Sequence, residues 1–462
     1  MGLFTTRYAQ NTTRFHFPEN PIDLLVKAQL DPSASERVSL PSLLHARCSS
    51  LFAEYRPVWW LNNGHVQTIY NVMGDFSKKD RMWYRRTLLR LLDGGTIGLD
   101  FAPSDSTHLA EDTPIIVVQH GLTGGSHEAY LRAILRPACT SIEEGGLGYR
   151  AVVVTFRGCA GVPLTSPKLY TAGHTDDLRQ ALIYISHKYP NAPLLGLGFS
   201  LGANVMTRYV AEEGHRSRLS SACVLSCPWN MEQNGHSLVS TFLGKNIWAR
   251  GMGTNLLKIV KLHQETLRTD AEHPIAQVLP STLALRYPTL PEFDSTFTKN
   301  AGDVAHPFPF STVDEYYRWA STDHVIEDIR VPFLAINAED DPVVTICPMD
   351  GKGNPYVAMV LTKAGGHLGW FKAGSTSEGT ERWTTKPALE WFKLMGEGVV
   401  RESSEAARIF VDENGFLREE GRENGLGCKE VGDEVPIDYF DLLLAATLFE
   451  IVLIARHKSQ RA

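Results

Sequence analysis

The chain has 462 residues, 43% hydrophobic and 21% charged, with a formal net charge of −7. Its size allows a large buried core, and its composition is that of an ordinary globular protein, which excludes collagen-like and disulfide-scaffold classes. A net negative chain without a basic stripe excludes nucleic acid as the main partner.

Along the chain, Met1 to Phe17 has no apolar core of the kind a signal peptide carries. Met1-Gly2-Leu3-Phe4-Thr5-Thr6 fits the myristoylation pattern, a short one that arises often by chance. Residues 1–54 carry no strong periodicity and read as an N-terminal extension. Trp83 to Leu92 and Thr96 to Phe101 flank Asp93-Gly94-Gly95, a hairpin signal. Strands and helices then alternate. Ile115 to Gln119, Ala151 to Phe156, Leu194 to Leu197 and Ala222 to Leu225 read as strands. Tyr130 to Glu143 and Asp176 to Tyr189 read as helices. Residues 228–320 break the rhythm with Trp, Phe, Pro and Leu, and read as an inserted helical cap. Alternation returns at Pro332 to Asn337 and Tyr356 to Leu361, and Trp383 to Met395 closes the unit as a helix. The pattern predicts an α/β fold, residues 55–227 and 321–396, with a mostly parallel sheet covered on both faces.

Residues 397–462 read as an exposed, acidic, Gly-rich linker followed by an apolar tail, Asp441 to Arg456. The tail is shorter than the roughly 20 residues of a spanning helix and carries Glu450. Two readings stay open: a packed or partner-binding helix, and a peripheral contact with a membrane or lipid droplet. The seven cysteines (Cys48, Cys139, Cys159, Cys223, Cys227, Cys347 and Cys428) are scattered and odd in number. They form no disulfide framework, which favours a reducing compartment. Cys223 and Cys227 lack the partners of a zinc site and read as buried residues. The expected location is intracellular, cytoplasmic or peripherally membrane-associated, and not secreted.

Chemistry is concentrated at Gly198-Phe199-Ser200-Leu201-Gly202, between a predicted strand and a predicted helix. That context makes G-x-S-x-G a nucleophile elbow. A serine hydroxyl needs a base, and the base needs an orienting carboxylate. Downstream, Phe333 to Asn337 runs into Glu339-Asp340-Asp341-Pro342. A carboxylate at a strand's C-terminal end is well placed for chemistry. Asp341 is the expected acid and Asp340 its rival. His367, inside Gly365-Gly366-His367-Leu368-Gly369, is the expected base. The backbone N–H of Leu201 and that of Leu122, in the loop after Gln119, are the expected oxyanion donors. His120 reads as a structural spacer.

At these residues the chain resembles the α/β-hydrolase superfamily. More narrowly it resembles the AB hydrolase 4 branch, which holds abhydrolase-domain proteins 1 and 3, plant EMB8-like proteins and yeast medium-chain ethyl ester synthase/esterases. Trp60-Leu61-Asn62-Asn63-Gly64-His65-Val66-Gln67-Thr68, His120 to Ser126, Arg157 to Gly161, Ala172 to Arg179, Phe293-Asp294, Tyr316-Tyr317-Arg318 and Asn337 to Pro342 carry the likeness. It spans Tyr55 to Lys393 and not the C-terminal tail. The resemblance implies the triad Ser200, Asp341 and His367, no cofactor and no metal. It also implies a fatty acyl ester or acyl-CoA substrate with water or an alcohol as acceptor. Arg157, His174 and Asp177 are expected to form a polar network around the site. An alcohol O-acyltransferase would use the same residues, with water access deciding the outcome. A non-catalytic lipid-binding protein would show no Ser200-dependent adduct with a fluorophosphonate.

Overall fold

The computed structural model describes residues 13–28, 34–300, 306–374, 379–400 and 405–438. The chain opens with β1 (Arg14–His16), β2 (Asp23–Lys27), β3 (Ser35–Ser39) and α1 (Leu40–Arg47). α2 (Gly64–Met73) precedes the hairpin of β4 (Trp83–Leu91) and β5 (Thr96–Ala102). The alternating segment follows as β6 (Ile115–Gln119), α3 (Ala129–Cys139), β7 (Arg150–Thr155), α4 (Asp176–Lys188), β8 (Leu194–Phe199), α5 (Leu201–Glu213) and β9 (Ser221–Leu225).

The cap region is helical. It runs through α6 (Met231–Ser240), a π-helical turn at Gly244–Ala249, α7 (Arg250–Leu262), α8 (Gln264–Leu267), α9 (Pro274–Leu283), α10 (Leu290–Thr296) and α11 (Val313–Ala320). Then come β10 (Phe333–Ala338), β11 (Val357–Thr362), a small hairpin of β12 (Phe371–Ala373) and β13 (Thr380–Arg382), and α12 (Thr385–Lys393). β14 (Ile409–Val411), β15 (Leu417–Glu419) and β16 (Gly427–Asp438) complete the described elements.

Among the described residues the main sheet has 12 strands in the order β1-β11-β10-β9-β8-β6-β7-β5-β4-β16-β15-β14. From β7 to β11 the neighbours are all parallel. These parallel strands are buried along their whole length, as strands covered on both faces must be. Alternate residues serve opposite faces. Ile116, Val118, Leu197 and Ile336 pack with Leu131 of α3 and Trp391 of α12. Val117, Val224 and Ala335 pack with Leu182 of α4 and Met206 of α5. The cap has its own apolar centre, with Leu257, Val260, Ile275, Phe293 and Phe297. Each such side chain contributes about 1.5–3 kcal/mol by leaving water.

Local signals explain the helix ends. α4 starts with Asp176 and Asp177 and ends with His187 and Lys188, matching the helix dipole. α10 starts with a capping box between Thr289 and Glu292.

Two stretches differ from the sequence expectation. The first 54 residues contain strands, and β1 pairs with β11. The acidic stretch after residue 400 joins the sheet, with β16 lying antiparallel to β4. The register of β16 shifts between Val431 and Val435, where Gly432 takes a φ of 82°, a bulge that a glycine accommodates. The stretch reads as exposed because part of its pairing is made at long range. Glu419 pairs with Arg218, and Glu430 accepts a hydrogen bond from the Tyr184 hydroxyl. Cys223 and Cys227 are buried. Asp441 to Arg456 lies outside the described residues. Among those residues no helix is long and apolar enough to cross a membrane.

Candidate active site

Ser200 stands at the turn from β8 to α5 with φ 52° and ψ −119°. A left-handed serine costs about 1–3 kcal/mol, a strain that persists only where the surroundings enforce it. Its N–H donates to the Leu225 carbonyl at 3.0 Å. The two flanking glycines leave no room for a side chain. A Cβ on Gly198 would lie 2.6 Å from Ala203 Cα, and one on Gly202 would lie 2.3 Å from the Gln119 carbonyl oxygen.

His367 reaches the serine from the loop after β11. Its Nδ1–H donates to Asp341 Oδ2 at 2.8 Å, and the Ser200 hydroxyl donates to its Nε2 at 2.8 Å. The carboxylate fixes the tautomer that leaves Nε2 free to accept a proton. Asp341 is buried, and its Oδ1 accepts the N–H groups of Val343 and Val344 at 2.8 and 2.9 Å. Asp340 turns away. Its Oδ1 accepts the Gly366 N–H at 2.9 Å, and burial, with neighbouring Asp341, raises its pKa. The structure thus brings Asp341, and not its rival, to the imidazole.

The loop that carries His367 is held from afar. The His367 N–H donates to Thr68 Oγ1 at 2.8 Å, and that hydroxyl donates to the Gly64 carbonyl at 2.7 Å. Ser226 Oγ accepts the Leu368 N–H at 3.4 Å. Arg382 donates to the carbonyls of Leu368 and Gly369. Gly366 has a φ of 58°, and a Cβ there would lie 2.4 Å from the Gly64 oxygen. The Asn63 to Thr68 motif is therefore scaffolding for the loop that carries His367. The sequence alone assigns that motif no role.

Leu122 and Leu201, the residues expected to supply the oxyanion donors, line the same cavity as Ser200. Leu201 is the first residue of α5, where an amide has no intrahelical acceptor. Among the described residues neither amide meets an acceptor. Their loop is fixed by hydrogen bonds: Gly121 N–H to the Tyr130 hydroxyl at 3.0 Å, Thr123 N–H to the Tyr170 hydroxyl at 3.2 Å, and Ser126 Oγ–H to Asp100 at 2.5 Å.

His120 is fully buried and uses both ring nitrogens. Nδ1–H donates to the Gly121 carbonyl at 2.7 Å, and Nε2 accepts the Phe156 N–H at 3.3 Å. Burial lowers its pKa to about 4, so it stays neutral as a spacer. Arg157 grips Asp177 with two hydrogen bonds of 2.6 and 2.7 Å, and Asp93 with one of 2.7 Å. His174 packs against Phe308 and Trp319. None of Arg157, His174 and Asp177 lines the Ser200 cavity.

That cavity holds about 970 Å³ of space free of protein atoms, part of it open to solvent. Cap residues Met231, Leu238, Met252, Leu256 and Phe297 give it an apolar wall. Asn234 and Asp294 are among the polar residues that interrupt the wall. Asn234 is buried, and its Nδ2 has no partner among the described residues. Asp294 accepts the hydroxyls of Thr298 and Tyr317 at 2.5 and 2.6 Å, and burial raises its pKa to about 6.

A strained serine above parallel strands, with a histidine and a carboxylate behind it, is the arrangement of an α/β-hydrolase fold. Residues 115–376 match the Alpha/beta hydrolase family, more than half of the chain, and the chain belongs to that family. It is similar to a monoacylglycerol lipase of Saccharomyces cerevisiae, 29% identical over 83% of this chain and 90% of that one. It is also similar to phospholipase ABHD3 of Homo sapiens, 30% identical over 72% and 78%. A third relative is medium-chain fatty acid ethyl ester synthase/esterase 2 of S. cerevisiae, 28% identical over 75% and 87%.

Proposed function

We propose that this chain is a carboxylic ester hydrolase that cleaves fatty acyl esters through an acyl-enzyme on Ser200. The observation that carries the reading is the pair of 2.8 Å hydrogen bonds linking Ser200, His367 and Asp341 at the end of an apolar cavity. His367 Nε2 takes the hydroxyl proton as Ser200 Oγ attacks the ester carbonyl. Asp341 holds the imidazole and stabilises its charged form. The Leu122 and Leu201 amides receive the oxyanion. His367 then gives its proton to the leaving alkoxide. Water, activated by the same imidazole, releases the fatty acid and restores Ser200.

The relatives named above are a lipase, a phospholipase and an esterase. Their names favour medium-chain acyl esters or glycerolipids as substrates, and the apolar wall of the cap suits an acyl chain. Transfer of the acyl group to an alcohol would follow the same path with the alcohol in place of water.

Labelling with a fluorophosphonate probe tests the nucleophile. Wild-type protein is expected to take up the probe and Ser200→Ala to take up none. Hydrolysis that survives in a folded Ser200→Ala protein would remove Ser200 from the mechanism. A screen of acyl esters, with water and with ethanol as acceptors, then fixes chain length and outcome.

A further inference from the structure

Most of the large apolar side chains exposed among the described residues fall in two segments. The first is α2 and the turn before it. Trp59 is 79% exposed, Val72 70% and Met73 80%, with Trp60, Val66 and Ile69 beside them. Val66, Ile69 and Met73 stand at i, i+3 and i+7, on one helical face. The opposite face of α2 is buried and polar, with Gln67 and Thr68 bonded to the loop around His367. A surface helix in water has the reverse arrangement. The second segment leads into the π-helical turn of the cap, with Phe242, 79% exposed, and Leu243 just before the turn and Ile247 within it. The Trp248 Nε1–H donates to His65 Nδ1 at 3.0 Å, and their rings stack at 5.9 Å. That contact sets the two segments side by side.

Charge separates this face from the rest of the molecule. Residues 57–74 contain no Asp, Glu, Lys or Arg. Residues 233–264 contain no acid, but they carry Lys245, Arg250, Lys258 and Lys261. The whole chain, by contrast, has a net charge of −7. Glu292, which feels both Lys245 and Arg250, is tied to the Thr289 N–H at 2.7 Å. The patch also runs toward the catalytic cavity. After Trp248 the chain enters α7, whose Met252 and Leu256 line the space that reaches Ser200.

We infer that the Trp59–Met73 face and the Phe242–Ile247 turn dock on the surface of an anionic lipid bilayer. The exposed indoles suit the interfacial zone, aliphatic and Phe side chains enter the acyl boundary, and the cap cations meet anionic headgroups. Docking would place the cap's apolar cavity against the layer that holds acyl esters. Only this last purpose rests on the proposed hydrolase activity. The docking itself does not.

The test is flotation of the full-length protein with vesicles of phosphatidylcholine, with and without phosphatidylserine. In parallel, hydrolysis of a soluble short-chain p-nitrophenyl ester is measured. Wild-type protein is expected to float with the anionic vesicles. V72E/M73E and F242E/I247E are each expected to bind about tenfold less or weaker still, with unchanged cleavage of the soluble ester. V411E, which alters a remote exposed side chain, is expected to bind like wild type. Wild-type protein that fails to float, or double variants that float normally, would overturn the proposal. So would binding lost only on deletion of residues 441–462. A concentration-dependent dimer abolished by V72E/M73E, without vesicle binding, would assign the face to a second copy and overturn it too. Vesicle binding without cleavage of any ester would instead sink the hydrolase reading and leave the docking face standing.

Discussion

Ser200 and His367 meet at 2.8 Å, yet different kinds of structure hold them. The serine is a local product. Its strand, its turn and its helix follow one another within 194–213, and two glycines clear the space it needs. The histidine is assembled at long range. Thr68, Asp341, Ser226 and Arg382, from four separate segments, support its loop or its ring. The proposed nucleophile therefore rests mainly on its immediate neighbours, with the Leu225 carbonyl as a remote anchor, and the proposed base rests on several remote segments.

Substitutions can break this comparison or sharpen it. The largest effect is expected for the reacting groups: His367→Ala should lower kcat by about 10⁴–10⁶, close to the effect of Ser200→Ala. Equal losses, and no further loss in the double variant, would mark them as one unit in steady-state kinetics.

Next come the two adjacent carboxylates. Asp341→Asn should cost about 10⁴ in kcat, because it disturbs the tautomer. Asp340→Asn should cost about tenfold or less, since that side chain holds only a loop amide. A reversed order in the same assay would exchange their roles.

Thr68 isolates the long-range support. Thr68→Val removes the acceptor of the His367 N–H and should lower stability by about 1–3 kcal/mol. It should also lower kcat by more than the unfolded fraction accounts for. Thr68→Ser keeps the hydroxyl and should restore kcat. If Thr68→Val matches wild type in both denaturation and turnover, α2 does not position the base.

The smallest effect concerns Asp294. Burial lifts its pKa from the ordinary carboxylate value to about 6. A raised pKa in the folded state means that the folded protein binds the proton more tightly. The stabilising contribution is complete below about pH 4 and is lost as pH rises through about 6. Wild-type protein should therefore lose stability relative to Asp294→Asn between pH 4 and 6. Denaturant midpoints at several pH values check this, and parallel curves for the two proteins would contradict it.

The serine side was legible because its signals are consecutive: an apolar strand, G-x-S-x-G and a helical pattern. The order of the carboxylate and the imidazole that meet at Ser200 was legible too, since Asp341 and His367 each follow a strand of the parallel sheet. What stayed hidden depends on pairing between remote segments. Gln67 and Thr68 gave no sign that they face the base, because their partners lie about 300 residues away in sequence. Asp294 gave no sign that it lines the cavity, because only the cap's packing brings it there. The acidic stretch around β15 and β16 concealed its strands for a related reason. Glu419 and Glu430 are answered by Arg218 and Tyr184, 201 and 246 residues away in sequence, and no local window contains both sides of those pairs.

The order of the main sheet has a consequence for solubility. Its two outermost ribbons, β1 and β14, have three residues each. Without β1 on one side, and β14, β15 and β16 on the other, the six-residue β11 and the nine-residue β4 would offer bare hydrogen-bonding rows. Such rows recruit foreign chains, and brief outer ribbons offer them little to grip. The segments that flank the hydrolase body thus act as selvedges, finishing a broad fabric on both sides so that it does not knit onto its neighbours.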